Sequence, residues 1–366
     1  MDAIVVGLVP SPGMPEKITS KIVNKLSTNI KEENNWNINL KFEIKKDPIT
    51  DSSEHINKAM HIINRIREEK NWDYIIGLTD LPRFSKKKTI ISDVNISQNS
   101  ALIFLPSLGA INMTSKAHNI IKDILNDLLS KTAQYNPQHI KKMHITTNLL
   151  SKVNKLDFKN KKHVSKRYII NSRMIGKMQT ISGMTYLNQP WKAITSFTKI
   201  LSLSFATGTY ISIFPTPWQL SDNFSLIRFI MLTLIAIIGM VVWLMYTHNL
   251  WEPKASANKR KYRFIYNITT FTTLSVVTIT NYLILYIMLT LMIVFFIPET
   301  LFTMWGKANP EHSVLNYLKL SWFITSLGVI VGAFGSTMQK KEKIRKITYS
   351  YRQLNRYYRA KSSNKK

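Results

Sequence analysis

Four stretches in the C-terminal half of this chain, 193–214, 226–246, 264–297 and 314–338, are too long and too apolar for an ordinary soluble fold, and nearly all basic residues lie outside them. An α-helix rises about 1.5 Å per residue and a bilayer's hydrocarbon core is about 30 Å thick, so about 20 mostly apolar residues suffice to cross it. In lipid every backbone polar group must be satisfied within the segment, which leaves the helix as the form for such a stretch. Segments 226–246 and 314–338 meet the requirement, with Arg228 and Lys319 close enough to one end to snorkel. Segment 193–214 is rich in Ser and Thr and carries Lys199; it reads as a span, with a buried or re-entrant segment as the alternative. As a single helix, 264–297 would run about 51 Å, and it reads either as one tilted span or as two short ones.

The charge distribution decides between these. The formal net charge is +29. On a soluble chain this would suggest nucleic acid. Here +8 falls in residues 151–190, +4 in 251–263 and +11 in 314–366, each block abutting an apolar stretch. That is the pattern of cytoplasmic flanks of membrane helices. Placing both the 251–263 loop and the tail after Met338 inside requires one span for 264–297. The expectation is four spans, both termini cytoplasmic, in a bacterial plasma membrane. The lipid bilayer and anionic lipid headgroups are the expected partners, and nucleic acid is not. Trp218, Trp305 and Trp322 fall where aromatic belts sit.

Residues 1–145 read as a cytoplasmic α/β domain. Segment 3–9 is a short β-branched apolar run bounded by a turn-rich loop, a buried first strand and not a signal peptide. Helices are expected over 16–33, 54–70 and 116–131, and strands over 36–45 and 74–78, with a hairpin of 89–96 and 101–105. This order favours a parallel three-stranded start and a mixed sheet. Two loops follow strand ends, where such sheets bind ligands: PSPGMP after the first strand and TDLP after the third. Ser11, Gly13, Thr79 and Asp80 are the candidate ligand-binding residues, with a pair of ordinary turns as the alternative. PSPGMP lacks the Gly-Lys-Ser/Thr ending of a Walker loop and is not GxGxxG. The chain has no cysteine, so thiolate metal sites and cysteine nucleophiles are excluded. No metal, cofactor or catalytic residue is expected.

Small residues recur at four-residue spacing in the spans: Gly328 and Gly332, followed by Gly335, and Ser204 with Gly208. This spacing lets helix backbones approach closely, within one chain or in a homo-oligomer or membrane complex. Asn267, Thr270, Thr278 and Asn281 lie at roughly helical multiples in the third span, and their amides should face protein. The four stretches hold no Asp or Glu, which argues against a proton- or cation-coupled transporter. Residues 146–190 read as a basic linker and a juxtamembrane amphipathic helix. Residues 191–338 form the transmembrane domain and 339–366 a basic cytoplasmic tail. The fold expectation is thus an α/β N-terminal soluble domain followed by an α-helical bundle of four spans.

Two resemblances accompany these readings. GLTDLP at 77–82, the hairpin, ALIFLPSLG at 101–109 and the following helix look like the sheet of the archaeal-type metzincins. Their zinc helix carries HExxHxxG, whereas KAHNIIKDILND here has a lone His118, which removes the protease inference and leaves a shared fold. GLTDLP, NQPW at 188–191, PWQLSD at 217–222, YN at 266–267 and GAFGS at 332–336 together resemble a family of multi-pass bacterial membrane proteins with a cytoplasmic α/β domain. That resemblance carries over no activity. The expectation is a non-enzymatic plasma-membrane protein whose cytoplasmic domain binds a partner or small ligand, in immunity or envelope stress protection. The alternatives are an accessory or pore subunit of a transporter and a hydrolase at the Thr79/Asp80 loop.

Overall fold

The computed structural model describes residues 3–29, 40–49, 56–85, 87–129, 146–148, 151–160, 163–252, 260–298, 300–301, 304–305, 313–335 and 344. The tail expected over 339–366 lies outside them, apart from Ile344. The chain divides into two compact units, the first built mainly on Met1–Asn188 and the second on Gln189–Ala255 and Arg263–Tyr351.

The first unit opens with β1 (Ile4–Pro10), α1 (Met14–Asn29), β2 (Leu40–Ile44), α2 (Ile56–Lys70) and β3 (Tyr74–Thr79). It continues with β4 (Phe84–Ser85), β5 (Lys88–Asn95), β6 (Ser100–Phe104) and a 3-10 turn, Leu105–Leu108. After α3 (Met113–Leu129) come β7 (Thr146–Asn148), β8 (Ser151–Asn160), β9 (His163–Ile170) and α4 (Arg173–Leu187). The strands form one mixed sheet in the order β2-β1-β3-β6-β5-β9-β8-β7, with β4 beside β5. Its first four strands are parallel. From β5 onward the pairing is antiparallel. The parallel part therefore holds four strands, one more than the expected three, because β6 keeps its antiparallel pairing with β5 on one side and pairs parallel with β3 on the other.

Burial on both faces explains why the central strands are continuous apolar runs and do not alternate. Ile18 and Ile22 of α1 and Ile120, Ile124 and Leu128 of α3 pack with Leu8, Ile76 and Ile103 in one core. On the other face Ile63 of α2 comes close above Gly77: a Cβ there would lie 3.3 Å from its Cγ2 and 2.8 Å from Leu102 Cδ1. Alternating strand side chains thus serve two helix layers.

Segment 146–190 is not the linker expected from its charge. Strands β8 and β9 extend the sheet, and their basic residues find acidic partners far away in sequence. Arg167 Nε lies 2.5 Å from Asp93 Oδ1, and Arg83 Nε lies 3.3 Å from Asp93 Oδ2. Lys166 Nζ donates to Asp127 Oδ1 at 2.7 Å, and the Tyr168 hydroxyl donates to Asp127 Oδ2. Helix α4, capped by Ser172, packs back on the unit. Its Gly176 faces Thr89, its Gly183 faces the backbone of Pro106, and Thr180 Oγ1 lies 3.4 Å from Thr89 Oγ1.

Asp123 stands one helical turn before Asp127. Burial pushes its carboxyl up to about 6; Lys155 opposes the rise and Asp127 adds to it. The folded pKa lies above the unfolded value of about 3.9, so the native state holds the proton more tightly. Stability from this group is full at low pH and is lost as pH rises from about 4 to about 6. Asp123→Asn is expected to raise the melting temperature at pH 7.5 and to leave it unchanged near pH 4. The gain should be about 1 kcal/mol after allowing for partial solvent screening. Melting curves of both proteins across this range check it, and a difference independent of pH would contradict it.

The second unit holds α5 (Pro190–Ile194), a 3-10 turn (Thr195–Phe197), α6 (Thr198–Ile211), α7 (Pro215–Asn223), α8 (Leu226–Thr247), α9 (Arg260–Phe296) and α10 (Ser313–Gly335). Among the described residues three helices, within α8, α9 and α10, are long and apolar enough to cross a membrane, with hydropathies of 2.5, 2.2 and 1.5. The protein is compatible with insertion in a membrane on this ground. The over-long third stretch is one continuous helix of 37 residues. The first stretch differs from expectation. It is broken by the Thr195–Phe197 turn, and α6 has 14 residues, about 21 Å of rise. Helix α6 ends because Ile213 and Phe214 bond three residues back, tightening the turn before Pro215, and Trp218 Nε1 donates to Ser212 O at 2.9 Å.

Helix α10 is the most enclosed of the three, 61% buried along its apolar window against 33% for α8 and 22% for α9. It packs antiparallel to α6: Gly335 faces Leu203, Gly328 and Gly332 face Ser204, and Ile324 faces Gly208. A chain of polar groups joins α8, α9 and α10. Trp322 Nε1 donates to Thr233 Oγ1 at 2.7 Å, Thr233 Oγ1 lies 3.3 Å from the Tyr282 hydroxyl, and that hydroxyl lies 2.7 Å from Ser326 Oγ. The tryptophans are therefore not a lipid-facing belt. Trp322 stacks on Phe229 inside the unit, and Trp218 is buried edge-on against Trp305.

Candidate functional site

In the order β2-β1-β3-β6 the chain runs from β1 out to β2, then crosses back to β3 on the other side of β1. The direction of winding reverses there, and the loops after β1 and β3 leave the sheet at the carboxyl ends of two adjacent strands, the usual ligand position in such sheets. Ser11 and Gly13 follow β1, and Thr79 and Asp80 end β3. The register pairs Pro10 with Leu78, and Ser11 N donates to Leu78 O at 2.8 Å, so the two loops start side by side. The structure brings Ser11 and the Thr79–Asp80 turn together.

Local chemistry holds them. Gly13 has φ 103°, a conformation that L side chains rarely adopt, which lets the chain turn sharply into α1. The Thr79 hydroxyl accepts from Leu81 N at 3.1 Å, a side-chain turn that fixes TDLP. Ser11, Thr79 and Asp80 are each at most 3% exposed. Ser11 Oγ has no hydrogen-bond partner among the described residues, an uncompensated buried hydroxyl that a donor or acceptor on a ligand would satisfy.

Two neighbours were not visible in the sequence. The segment after β2 keeps following β1, with Lys45 N donating to Leu8 O at 3.1 Å and Asp47 N to Pro10 O at 3.2 Å. Asp47 therefore stands by the same strand end, its Oδ1 accepting from Ile49 N at 2.7 Å. At the end of β6, Ser107 Oγ donates to Phe104 O at 2.6 Å and shapes the Leu105–Leu108 turn. Helix α4 walls this turn from outside. Lys116 Nζ donates to Leu108 O at 3.0 Å, and burial holds its ammonium pKa below the usual lysine value.

The residues singled out for helix packing occupy a different place. A Cβ on Gly328 would come 2.8 Å from Ser204 O, one on Gly332 would come 1.9 Å from Ser204 Oγ, and one on Gly208 would come 2.9 Å from Leu289 Cδ1. Gly335 meets Leu203 in the same way. Asn267 Oδ1 accepts from Glu252 N at 2.8 Å, and Asn281 Nδ2 donates to Val277 O at 3.0 Å. Thr270 and Thr278 are buried. Beside Thr278, Asn281, Tyr282 and Ser204 lies a cavity of about 20 Å³. That is room for about one water.

No family model, curated protein or solved structure matches the chain. The likeness to the metzincin sheet and to a family of membrane proteins therefore adds nothing to the geometry. Among the described residues no three His, Cys, Asp or Glu side chains stand close enough to hold a metal ion. His118 sits on α3 with Nδ1 at 3.4 Å from Asn119 Oδ1.

What these paired strand ends can do follows from their donor and acceptor set. A carboxyl group and a hydroxyl, buried and held at the ends of two adjacent central strands, suit a small ligand that presents hydrogen-bond donors, such as an amine or a polyol. The Thr79 hydroxyl already accepts from Leu81 N, so the turn that carries it is built for rigidity.

Proposed function

We propose that this protein is a non-enzymatic component of a bacterial plasma membrane whose α/β unit binds a small polar ligand or partner group at the site formed by Ser11, Gly13, Thr79 and Asp80. The helical unit anchors and assembles it, and protection of the cell envelope is the role this build suits. The observation that carries the reading is the reversal point between β1 and β3, which sets the unpartnered Ser11 hydroxyl beside the buried Asp80 turn.

Four crossings with both termini cytoplasmic remain our reading of the helical unit. Phe229 stacks on Trp322 and Trp243 meets Phe334, so α8 runs parallel to α10. Tyr317 donates to Ile297 O and Tyr282 meets Ser326, so α9 runs opposite to α10, as α6 does. The start of α6, the end of α8, the start of α9 and the end of α10 thus share one end of the unit. The basic blocks at 151–190, at 251–263 and after residue 335 all adjoin that end in sequence, which supports a cytoplasmic assignment. Helix α6, about 21 Å long, is the shortest of the four crossings in this reading.

Thermal melting of the full-length protein in nanodiscs, against a panel of amines, polyols and nucleosides, tests the ligand site. A ligand of this site raises the melting temperature of the wild type, and the rise is lost in Ser11→Ala and Asp80→Asn while each variant keeps a cooperative melt of its own. A rise that survives both substitutions would overturn the assignment. The second reading, a subunit of a transporter, is separated from this one by solute flux in proteoliposomes of the purified protein.

A further inference from the structure

Helix α4 is apolar on two sides. Its inner side, with Gly176, Thr180, Gly183, Met184 and Leu187, is buried in the α/β unit. Its outer side carries Met174 and Met178, 74% and 61% exposed, between the exposed Arg173 and Lys177. These four residues recur at the spacing of one helical stripe. Two exposed methionines one turn apart, each beside a basic residue, are unusual on a surface that meets only water.

We propose that this outer stripe of α4 rests on an anionic lipid surface, with Met174 and Met178 entering the headgroup boundary and Arg173 and Lys177 pairing with lipid phosphates. Two observations choose lipid over another occupant. The stripe is basic and lies in the segment of 151–190 that carries +8. Helix α4 also ends at Leu187, and the unit that holds the three apolar helices begins at Gln189. In the chain only Asn188 separates the helix that carries the stripe from that unit. An amphipathic face of this kind binds by buried apolar area together with attraction to anionic headgroups. The inference does not depend on the proposed ligand site, which lies at the carboxyl ends of β1 and β3.

The chain has no cysteine, so a single introduced one reports alone. Full-length Met178→Cys, carrying an environment-sensitive fluorophore, is placed in nanodiscs with or without phosphatidylglycerol and titrated with acrylamide, a neutral quencher. Lys58→Cys on the exposed side of α2 is the reference. With phosphatidylglycerol the label at 178 should be blue-shifted and its quenching constant about threefold below that at 58. The protection should fall in purely zwitterionic discs, and Arg173→Glu with Lys177→Glu should abolish it without changing the melting temperature. Equal quenching at 178 and 58 in anionic discs would overturn the proposal. So would protection that is the same in both lipids, and so would protection lost when each disc holds a single protein, which would assign the stripe to a second copy.

Discussion

Gly328→Ala should lower the stability of the helical unit by about 1–3 kcal/mol. A Cβ at this position would stand 2.8 Å from the carbonyl oxygen of Ser204, which is backbone, so α6 or α10 must shift to admit it. Gly332→Ala meets a different obstacle, the Ser204 hydroxyl oxygen at 1.9 Å, with Ile200 O next at 3.3 Å. Ser204→Gly should therefore rescue much of the loss in Gly332→Ala and none of it in Gly328→Ala. A double-mutant cycle on melting temperatures in nanodiscs reads this difference directly. Gly239→Ala is the control: nothing lies within 4 Å of a Cβ there, and alanine is the better helix former. Its stability should be unchanged or slightly raised. Because the seam lies inside one chain, the losses should not depend on protein concentration. Equal rescue of both variants, or a loss that vanishes on dilution, would contradict the α6–α10 packing.

Much of this architecture is legible in the sequence because it depends on local spacing. Ile18, Ile22 and Leu26 mark one side of α1, and the apolar runs in β1 and β3 mark buried strands. The long apolar lengths of α8 and α10, each with one basic residue near its start, mark membrane-competent helices. The parts that were misread depend on partners far along the chain. Lys166 and Arg167 look like a solvated linker until Asp127 and Asp93 are placed opposite them, 39 and 74 residues away. With that pairing, β8 and β9 become sheet. The first apolar stretch is long enough on paper, but Trp218 reaching back to Ser212 closes α6 early. Trp322 has the composition of a belt residue, yet a hydroxyl on α8 satisfies its indole nitrogen inside the unit.

The candidate site divides along the same line. Ser11, Gly13, Thr79 and Asp80 could be named because strand ends in a wound sheet are where chains open toward ligands, and the two loops are marked by Pro, Gly and Asp. Asp47 and Ser107 could not be named. Their positions follow from a segment that keeps pairing with β1 beyond the end of β2, and from the 3-10 turn after β6. Neither feature has a periodic signature in the sequence.

Gly183→Ala gives the sharpest test of where α4 belongs, because the two readings predict opposite signs. On a free linker helix, glycine to alanine would stabilise by about 0.5–1 kcal/mol, since glycine gives up the most backbone entropy on ordering. In this structure a Cβ at 183 would lie 2.2 Å from Pro106 O, 2.9 Å from its carbonyl carbon and 3.0 Å from its Cα. All three are backbone atoms in the turn after β6, which is itself buried, so no side chain can swing aside. The variant should lose about 3 kcal/mol, at the upper end of overpacking penalties, and α4 should lift off the turn it walls. Ser182→Ala next to it is the matching control; its hydroxyl only donates to Gln179 O one turn earlier, so its loss should be small. The measurement is the melting of the full-length protein together with protease susceptibility across residues 171–188. A Gly183→Ala protein as stable as wild type, with α4 equally protected, would contradict the packing of α4 on the turn after β6.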